Sequence, residues 1–248
     1  MENFFDWFRI LYEETGINLP FLYDVYDRAR LLNGFLMTVK LSMVCLFFSV
    51  IIGIIGAWLQ GSSLKWTRRI VNGYIQIFRN TPPLVQLYFF YFAIGTLLPK
   101  VETDWGGQAP MLGSFAWAAI SLSFFAGAFN VEIFRSGIEA VPKSTVEAAE
   151  SLGFNRLQIY RDIALPLAFR VCLPALNNNL VNLVKTTTLA YAIAVPEMLY
   201  EANQIWSDNV NVTEMMLFLL VAYFVLVGIL VWAMNSWEQA MKIPGYGS

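Results

Sequence analysis

The sequence predicts an all-α integral membrane protein with about five transmembrane helices, its N-terminus outside the cytoplasm and its C-terminus inside. Three observations predict this. First, 57% of the 248 residues are hydrophobic and only 14% are charged, with a mean hydropathy of +0.54, whereas soluble domains carry about 25% charged residues. Second, five nearly uncharged stretches, 41–59, 80–98, 111–131, 171–196 (interrupted by Lys185) and 215–237, approach or exceed the roughly 20 residues that cross a bilayer as a helix. Third, the charges of the connecting segments are sorted by sign. Lys65, Arg68 and Arg69, and then Arg135, Lys143, Arg156 and Arg161, lie in two of them. The segments 99–113 and 187–212 hold Lys100 against Glu102, Asp104, Glu197, Glu201 and Asp208. Basic loops stay in the cytoplasm, which sets the orientation; Arg9, Arg28 and Arg30 oppose it but stand among acids.

Three parts follow: an extracytoplasmic or interfacial segment 1–32, a membrane domain 33–240 with a cytoplasmic loop at about 140–166, and a cytoplasmic tail 241–248. The first 20 residues mix Phe4, Phe5, Trp7, Phe8, Ile10, Leu11 and Tyr12 with Glu2, Asp6, Glu13 and Glu14. That acidic start is unlike the basic n-region of a signal peptide, and an amphipathic segment of this kind suits the membrane surface. Gly53 and Ala57 form a small-xxx-small pair for close helix packing. Trp58, Trp66, Trp105, Trp206 and Trp237 stand near span ends, where aromatic anchors collect.

Histidine is absent and the two cysteines, Cys45 and Cys172, sit in apolar stretches. His-based acid–base catalysis, His metal sites and a disulfide framework are therefore excluded, and no metal or cofactor is expected on this chain. No glycine-rich phosphate loop ending in Lys-Ser/Thr is present, so the chain is not itself an ATPase.

The hydrophilic loop carries strong local signals. Ser144-Thr145-Val146-Glu147 reads as a capping box, Ser144 capping the backbone and Glu147 reaching back from the third helical position. Pro142 stops the preceding span, and Ala148 and Ala149 favour helix. Gly153 suits the left-handed position that ends one. Asn155-Arg156-Leu157-Gln158 reads as a second N-cap with Gln at the third position, and Pro166 marks the start of the next span. The loop is expected as two short helices at an angle, joined at a glycine.

The spacing Glu147-Ala148-Ala149, Gly153, Ile163, Leu165-Pro166 resembles the signature loop of ABC importer permeases. Phe78-Arg79-Asn80-Thr81-Pro82-Pro83-Leu84-Val85-Gln86-Leu87 is similar to a segment of the polar amino acid permeases, the histidine, glutamate and glutamine type. Asn33-Gly34 with Thr38, Glu132-Ile133-Phe134-Arg135, Gly137-Ile138 and Lys185-Thr186-Thr187-Thr188-Leu189 are similar to further segments of that family. The resemblance covers roughly residues 30–240; this chain has Asn80 where the family usually has Gly, and Thr188 where it often has Ser.

The resemblance implies the type I ABC importer fold and ATP-driven uptake of a polar or charged amino acid by alternating access in the bacterial cytoplasmic membrane. The implied partners are a second permease subunit, identical or related, two ATP-binding subunits that hold ATP and Mg, and an extracytoplasmic solute-binding protein, with no nucleic acid. The loop becomes the coupling helix, and Ser144, Glu147, Ala148, Ala149, Gly153, Phe154, Ile163 and Pro166 become its contact and shape residues. Alternatives are a permease of this kind for another small polar solute, a self-sufficient secondary transporter, an intramembrane enzyme or a docking scaffold. No inverted repeat supports the second and no catalytic constellation the third.

Polar groups inside apolar stretches complete the candidates. Asn178, Asn182 and Lys185 recur at i, i+4 and i+7, one helical face, with Lys185 about 21 Å along the helix from residue 171. Ionisable groups at that depth face a cavity or a partner. Thr186, Thr187 and Thr188 follow, and Pro196 is expected to break the helix. Arg79, Asn80, Thr81 and Gln86 flank a second break at Pro82-Pro83. These residues are candidates for the substrate path; Arg79 and Lys185 are also open to a structural role in ion pairs or interhelical hydrogen bonds, and for Arg79 structure or gating is the favoured reading. Glu132, Arg135 and Glu139 read as an ion-pair run.

Overall fold

The computed structural model describes residues 2–102 and 106–241, with side chains from residue 7 onward. Asp104, Trp105 and all of the expected tail but Met241 lie outside the described residues. Amphipathic α1 (Glu2–Thr15) and the single turn α2 (Pro20–Tyr23) precede α3 (Val25–Gln60). At 36 residues, α3 is about 54 Å long, against a hydrocarbon core of about 30 Å. The helix that holds the first apolar stretch therefore begins well before residue 41, and residue 33 lies inside it. After α4 (Lys65–Asn80) comes α5 (Pro83–Tyr88), which widens into a π turn (Phe89–Ile94) and closes as a 3-10 turn (Gly95–Leu97). α6 (Ser114–Glu139), α7 (Lys143–Ser151) and α8 (Arg156–Gln158) follow. A π turn (Ile159–Ala164) leads from α8 into α9 (Leu165–Thr186), and α10 (Met198–Asn209) and α11 (Val212–Met241) follow. Among the described residues three helices, α3, α6 and α11, are long and apolar enough to cross a membrane, and Pro83–Leu97 is a shorter apolar run.

Two connections differ from expectation. The segment 99–113 holds an antiparallel hairpin, β1 (Lys100–Glu102) against β2 (Gln108–Pro110), with Val101 opposite Ala109. The fourth apolar helix also does not wait for Pro196 to break. It tightens into a 3-10 turn over Thr187–Ile193 and ends at Ala194, whose φ is +57°. The threonines explain this: Thr187 and Thr188 donate their hydroxyls to the carbonyls of Val184 and Lys185, three residues back, at 2.7 and 2.9 Å, the separation a 3-10 turn brings close.

The chain divides into two compact units. One comprises Met1–Met43, Leu87–Ala119 and Val184–Gly228. Its apolar core is Leu31, Met198, Ala202, Ile205, Met215 and Leu219, with Phe21 and Phe218 packed at its edge. Around it runs a polar brace that the sequence reading did not foresee. Arg30 donates to Asp208 at 2.9 Å, to Glu201 at 3.3 Å and to Asp27 at 3.4 Å, and Asn209 donates to Asp27 at 3.2 Å. Glu197, fully buried, caps α10 by accepting from the Leu199 and Tyr200 amides and also accepts from the Tyr223 hydroxyl at 3.0 Å. Residues 27–38 are thus tied to α10 and α11, so the segment ahead of residue 33 is part of a packed unit. Trp206 packs against this core.

The other unit comprises Val44–Gln86, Ile120–Leu183 and Ile229–Ser248. Its centre is a close approach of α3 and α6. A Cβ added at Gly53 would lie 2.5 Å from the Asn130 Cβ, and one at Gly56 would lie 2.3 Å from a Val131 methyl. Gly56 thus joins Gly53 at the contact, and Ala57, 5% exposed, is buried in a cluster with Phe134 and Leu173. Asn179 on α9 donates to the Asn130 side chain at 2.7 Å and to the Ala126 carbonyl at 3.1 Å. A second cluster, Val71, Ile75 and Val131, seats α4 on α6. The glycines let backbones approach, and the amide pair supplies the directional contact that lipid-embedded packing favours.

Candidate functional site

The hydrophilic loop belongs wholly to this second unit. Its first helix starts two residues earlier than a Ser144 cap requires. Pro142 is the N-cap, with φ −57° and ψ 132°, and α7 begins at Lys143 with no side-chain cap. A capping side chain must come from a residue in extended conformation, and Ser144 is already helical, so the Ser144/Glu147 capping box does not form. The other end closes as the sequence indicates. Gly153 takes φ +83°, its amide donates to the Glu150 carbonyl at 2.9 Å, and the Phe154 amide donates to the Ala149 carbonyl at 3.1 Å. This is the double bond pattern of a Schellman motif. A Cβ at Gly153 would meet nothing within 4 Å, so its torsion, and not lack of space, demands glycine.

α8 opens with a complete capping box: the Gln158 amide donates to Asn155 Oδ1 at 3.0 Å, and the Asn155 amide donates to Gln158 Oε1 at 2.8 Å. It does not end as a separate short helix. It passes through the π turn, in which the Leu165 amide donates to the Tyr160 carbonyl, and continues into α9. Pro166 follows that turn. Proline lacks an amide and its ring crowds the preceding turn, and a widened π turn is one way a helix absorbs such a residue without stopping. Pro166 therefore sits inside a continuous helical run.

Two long-range bonds anchor the loop to α3. Arg156 Nη2 donates to the Gly61 carbonyl at 2.5 Å, and the Tyr160 hydroxyl donates to the Ile54 carbonyl at 2.6 Å. Burial pushes the Tyr160 phenol up to about 12, keeping it a donor at neutral pH. Behind the loop is a cavity of about 370 Å³ walled by Trp58, Phe154, Tyr160 and Ile138, with Glu150 and Arg156 at its polar side. Trp58 is half-buried against Tyr160. Arg156 and Tyr160 were missed as functional positions; only their place beside the capping box could have drawn attention to them.

Outward, the loop presents Glu147, Ala148, Gly153 and Pro166, with Leu152 78% exposed, Leu157 57% and Phe154 38%. Exposed large apolar groups gathered on one loop suit contact with another protein. Ala149 is 3% exposed and points into the unit, so its small size serves the loop's own seating. Ile163 is half-buried. Arg161 donates to Asp162 at 2.6 Å and holds that carboxyl below its usual range.

The residues expected along a solute path separate into two groups. At the α4–α5 break Thr81 is extended, with φ −117° and ψ 144°, as the residue before a proline prefers. Gln86 Nε2 closes the break, donating to the Phe78 carbonyl at 2.8 Å and to the Thr81 carbonyl and hydroxyl oxygens at 3.0 and 2.7 Å. Thr81 Oγ1 donates to the Ile77 carbonyl and Asn80 Nδ2 to Gln76 Oε1. Arg79 pairs with Glu132 at 3.1 Å and lies over the Phe129 ring; Arg135 extends the run to Glu132 and Glu139. These polar groups are engaged within the chain. Asn178, Asn182 and Lys185 are all exposed along α9. Lys185, Thr186, buried Thr187 and Thr188 fall in the first unit.

Residues 49–243 match the family model described as binding-protein-dependent transport system inner membrane component. The probable amino-acid permease protein YxeN of Bacillus subtilis is 30% identical over 214 residues, 86% of this chain and 92% of that protein. A putative glutamine transport system permease protein of Rickettsia bellii is 32% identical, over 79% of this chain and 86% of its own length. The glutamate/aspartate import permease protein GltJ of Escherichia coli is 26% identical, over 86% and 87%. Among solved structures, an amino acid ABC transporter determined with histidines superposes with a TM-score of 0.74 and 27% identity, covering 90% of this chain and 99% of that one. The MetNI methionine ABC transporter matches in fold, with a TM-score of 0.69 and 20% identity, over 89% of this chain and all of that one.

Proposed function

Because this chain belongs to the binding-protein-dependent transport system inner membrane components, a family of transport subunits, we propose that it forms half of the membrane path of an ATP-driven importer for a polar or charged amino acid. The observation that carries the mechanical part is the loop: it is closed at Gly153, capped at Asn155 and bolted to α3 through Arg156 and Tyr160, yet it presents Glu147, Ala148, Leu152 and Phe154 outward. A push on such an element moves α3 and α9 with it. The pushing partner is a pair of ATP-binding subunits that hold ATP and Mg, and the loop faces the cytoplasm of a bacterium. A second permease subunit completes the path, and an extracytoplasmic solute-binding protein delivers the cargo.

The cargo class rests on the relatives, whose names specify glutamine and glutamate/aspartate. Within the chain, exposed Asn178, Asn182 and Lys185 are our choice of path-lining residues, while Arg79 and Gln86 hold the α4–α5 break. The test is reconstitution of the complex in proteoliposomes with labelled L-glutamine, L-glutamate and L-arginine. Uptake of at least one is expected to need both ATP and the ATP-binding subunit, to fall at least tenfold in Glu147→Lys and to weaken in Lys185→Met. Uptake that proceeds without the ATP-binding subunit overturns the importer reading; unchanged flux and affinity in Lys185→Met removes Lys185 from the path.

A further inference from the structure

The cavity of about 370 Å³ behind the loop falls in the range of small-molecule sites, about 300–1,000 Å³, and its wall holds a donor to spare. Trp58 lines it, and the Trp58 Nε1–H is buried without an acceptor among the described residues, whereas a buried indole N–H usually has one. The neighbouring donors are committed: the Tyr160 hydroxyl gives its proton to the Ile54 carbonyl, and Arg156 Nη2 bonds the Gly61 carbonyl. Much of the remaining wall is apolar, with Ile138, Phe154, Ile159 and Ala164, while the Glu150 carboxylate and the rest of the Arg156 guanidinium stand at its polar side.

The position in the fold says what kind of molecule meets this wall. Trp58 stands just before the end of α3 and Ile138 just before the end of α6, both helices long and apolar enough to cross a membrane, and Ala164 is the residue ahead of α9. The ends of spanning helices lie at headgroup depth, where tryptophan collects. Apolar walls, one buried donor and two charges of opposite sign match the parts of a phospholipid. An acyl chain lies against Ile138 and Phe154, its ester carbonyl accepts from Trp58 Nε1, the phosphate meets Arg156 and an ammonium meets Glu150.

We propose that this cavity binds one phospholipid with a primary ammonium headgroup, phosphatidylethanolamine, from the cytoplasmic leaflet. A headgroup without a cation sets its phosphate beside Glu150 with nothing to offer that carboxylate, and a trimethylammonium has no N–H to donate to it. The buried indole carries the argument; the two rim charges choose among headgroups. The inference rests on the cytoplasmic orientation of the loop proposed above, and it adds a lipid to the partners of the chain.

The test uses the whole complex in vesicles that contain a trace of phosphatidylethanolamine with a photoactivatable diazirine in one acyl chain, read by digestion and mass spectrometry. Peptides holding Trp58 or residues 154–160 are expected to be labelled about fivefold more than by the same probe with a choline or a glycerol headgroup, the difference one charge-assisted hydrogen bond makes. Trp58→Phe keeps the apolar wall and removes the donor. Its labelling at 154–160 is expected to fall about fivefold, as for one lost hydrogen bond, while labelling at exposed Phe224 and Trp232 of α11 stays parental and reports an intact fold. Glu150→Gln is expected to abolish the preference for ethanolamine over choline. Equal labelling by the three probes, labelling indifferent to Trp58→Phe, or no label at these peptides overturns the site. So does a photoreactive side chain at position 138 that cross-links to the ATP-binding subunit and not to lipid, which gives the cavity to that partner. ATP-dependent uptake in the same vesicles is unaffected by any of these outcomes, so failure of the lipid site is distinguishable from failure of the importer reading.

Discussion

The loop between α6 and α9 and the break between α4 and α5 both interrupt helical chain, and they are closed by different means. In the loop the closing groups lie within five residues of what they close: the Gly153 and Phe154 amides donate to the carbonyls of α7, and the exposed Asn155 and Gln158 side chains cap each other's backbone amides. Side chains such as Glu147, Leu152 and Phe154 are left facing outward. At the break a side chain does the closing. Gln86 reaches back to Phe78 and Thr81, and Arg79 and Asn80 are engaged with Glu132 and Gln76. Closure mainly through backbone amides leaves the other side chains free for a partner, whereas closure by side chains occupies them. The same residue types therefore point to a docking surface in one place and to a brace in the other.

The sharpest way to break this contrast is Gln86→Leu. It leaves the Phe78 and Thr81 acceptors without their donor in a site where Gln86 is 6% exposed, and a buried polar group that loses its partner costs about 1–3 kcal/mol. With more than one acceptor affected, a loss of about 2–4 kcal/mol is expected, read as a lowered thermal midpoint of the purified complex in detergent. Gln86→Glu keeps the shape but cannot donate when ionised, and should lose nearly as much. If either variant melts with the parent, the break is not held by this side chain.

Gly153→Val comes next. The left-handed torsion of +83° costs a β-branched residue about 1–3 kcal/mol, and the empty space around the position offers no steric excuse. The loop is expected to loosen more than the unit unfolds, so ATP-driven uptake should fall at least tenfold while the thermal midpoint moves by less than in Gln86→Leu. Gly153→Asn, which tolerates this torsion better, should restore part of the uptake. Equal uptake in Gly153→Val and the parent would show that the loop's bend is not needed for coupling.

Asn155→Ala removes one half of the capping box and is expected to cost about 1 kcal/mol. Gln158→Ala, taking away the reciprocal bond, should cost no more, and the double substitution should cost less than the sum because the two bonds share the same cap. Strict additivity in thermal or denaturant midpoints would mean that the two bonds act independently.

What could be read from the sequence follows the same division. Gly153, Asn155 and Gln158 were legible because each acts through backbone within three residues of itself. The break at Pro82-Pro83 was legible because proline fixes its own torsion and restricts that of Thr81. The partners of Gln86 and Arg79 were not, since a glutamine beside a break states neither which carbonyls it will reach nor that it will reach any. Still less legible was the brace of Arg30 with Glu201 and Asp208, 171 and 178 residues away. By sign and neighbours alone Arg30 looked like a stray loop charge. The π turn before Pro166 was also hidden: sequence shows that a proline must be accommodated, but whether the helix stops or widens depends on what packs around Ile159 and Ala164, both buried. Ala149 escaped in the same way, because an alanine pattern does not reveal which alanine faces inward.

The smallest expected effect is the most discriminating about how the loop starts. If Ser144 capped α7, Ser144→Ala would cost about 0.5–2 kcal/mol. Pro142 is the N-cap and Ser144 is exposed within the helix, where exchanging serine for alanine is slightly favourable by helix propensity. The thermal midpoint of Ser144→Ala is therefore expected to equal or exceed that of the parent, while Asn155→Ala, at the start of the other helix of the same loop, falls. Hydrogen exchange at the amides of the first turn of α7 should likewise be unchanged in Ser144→Ala. A destabilised variant with faster exchange there would mean that the helix begins two residues later, with Glu147 turned back toward its own N-terminus. Glu147 would then be engaged as Gln86 is, and the outward acid assigned to the ATP-binding partner would be lost.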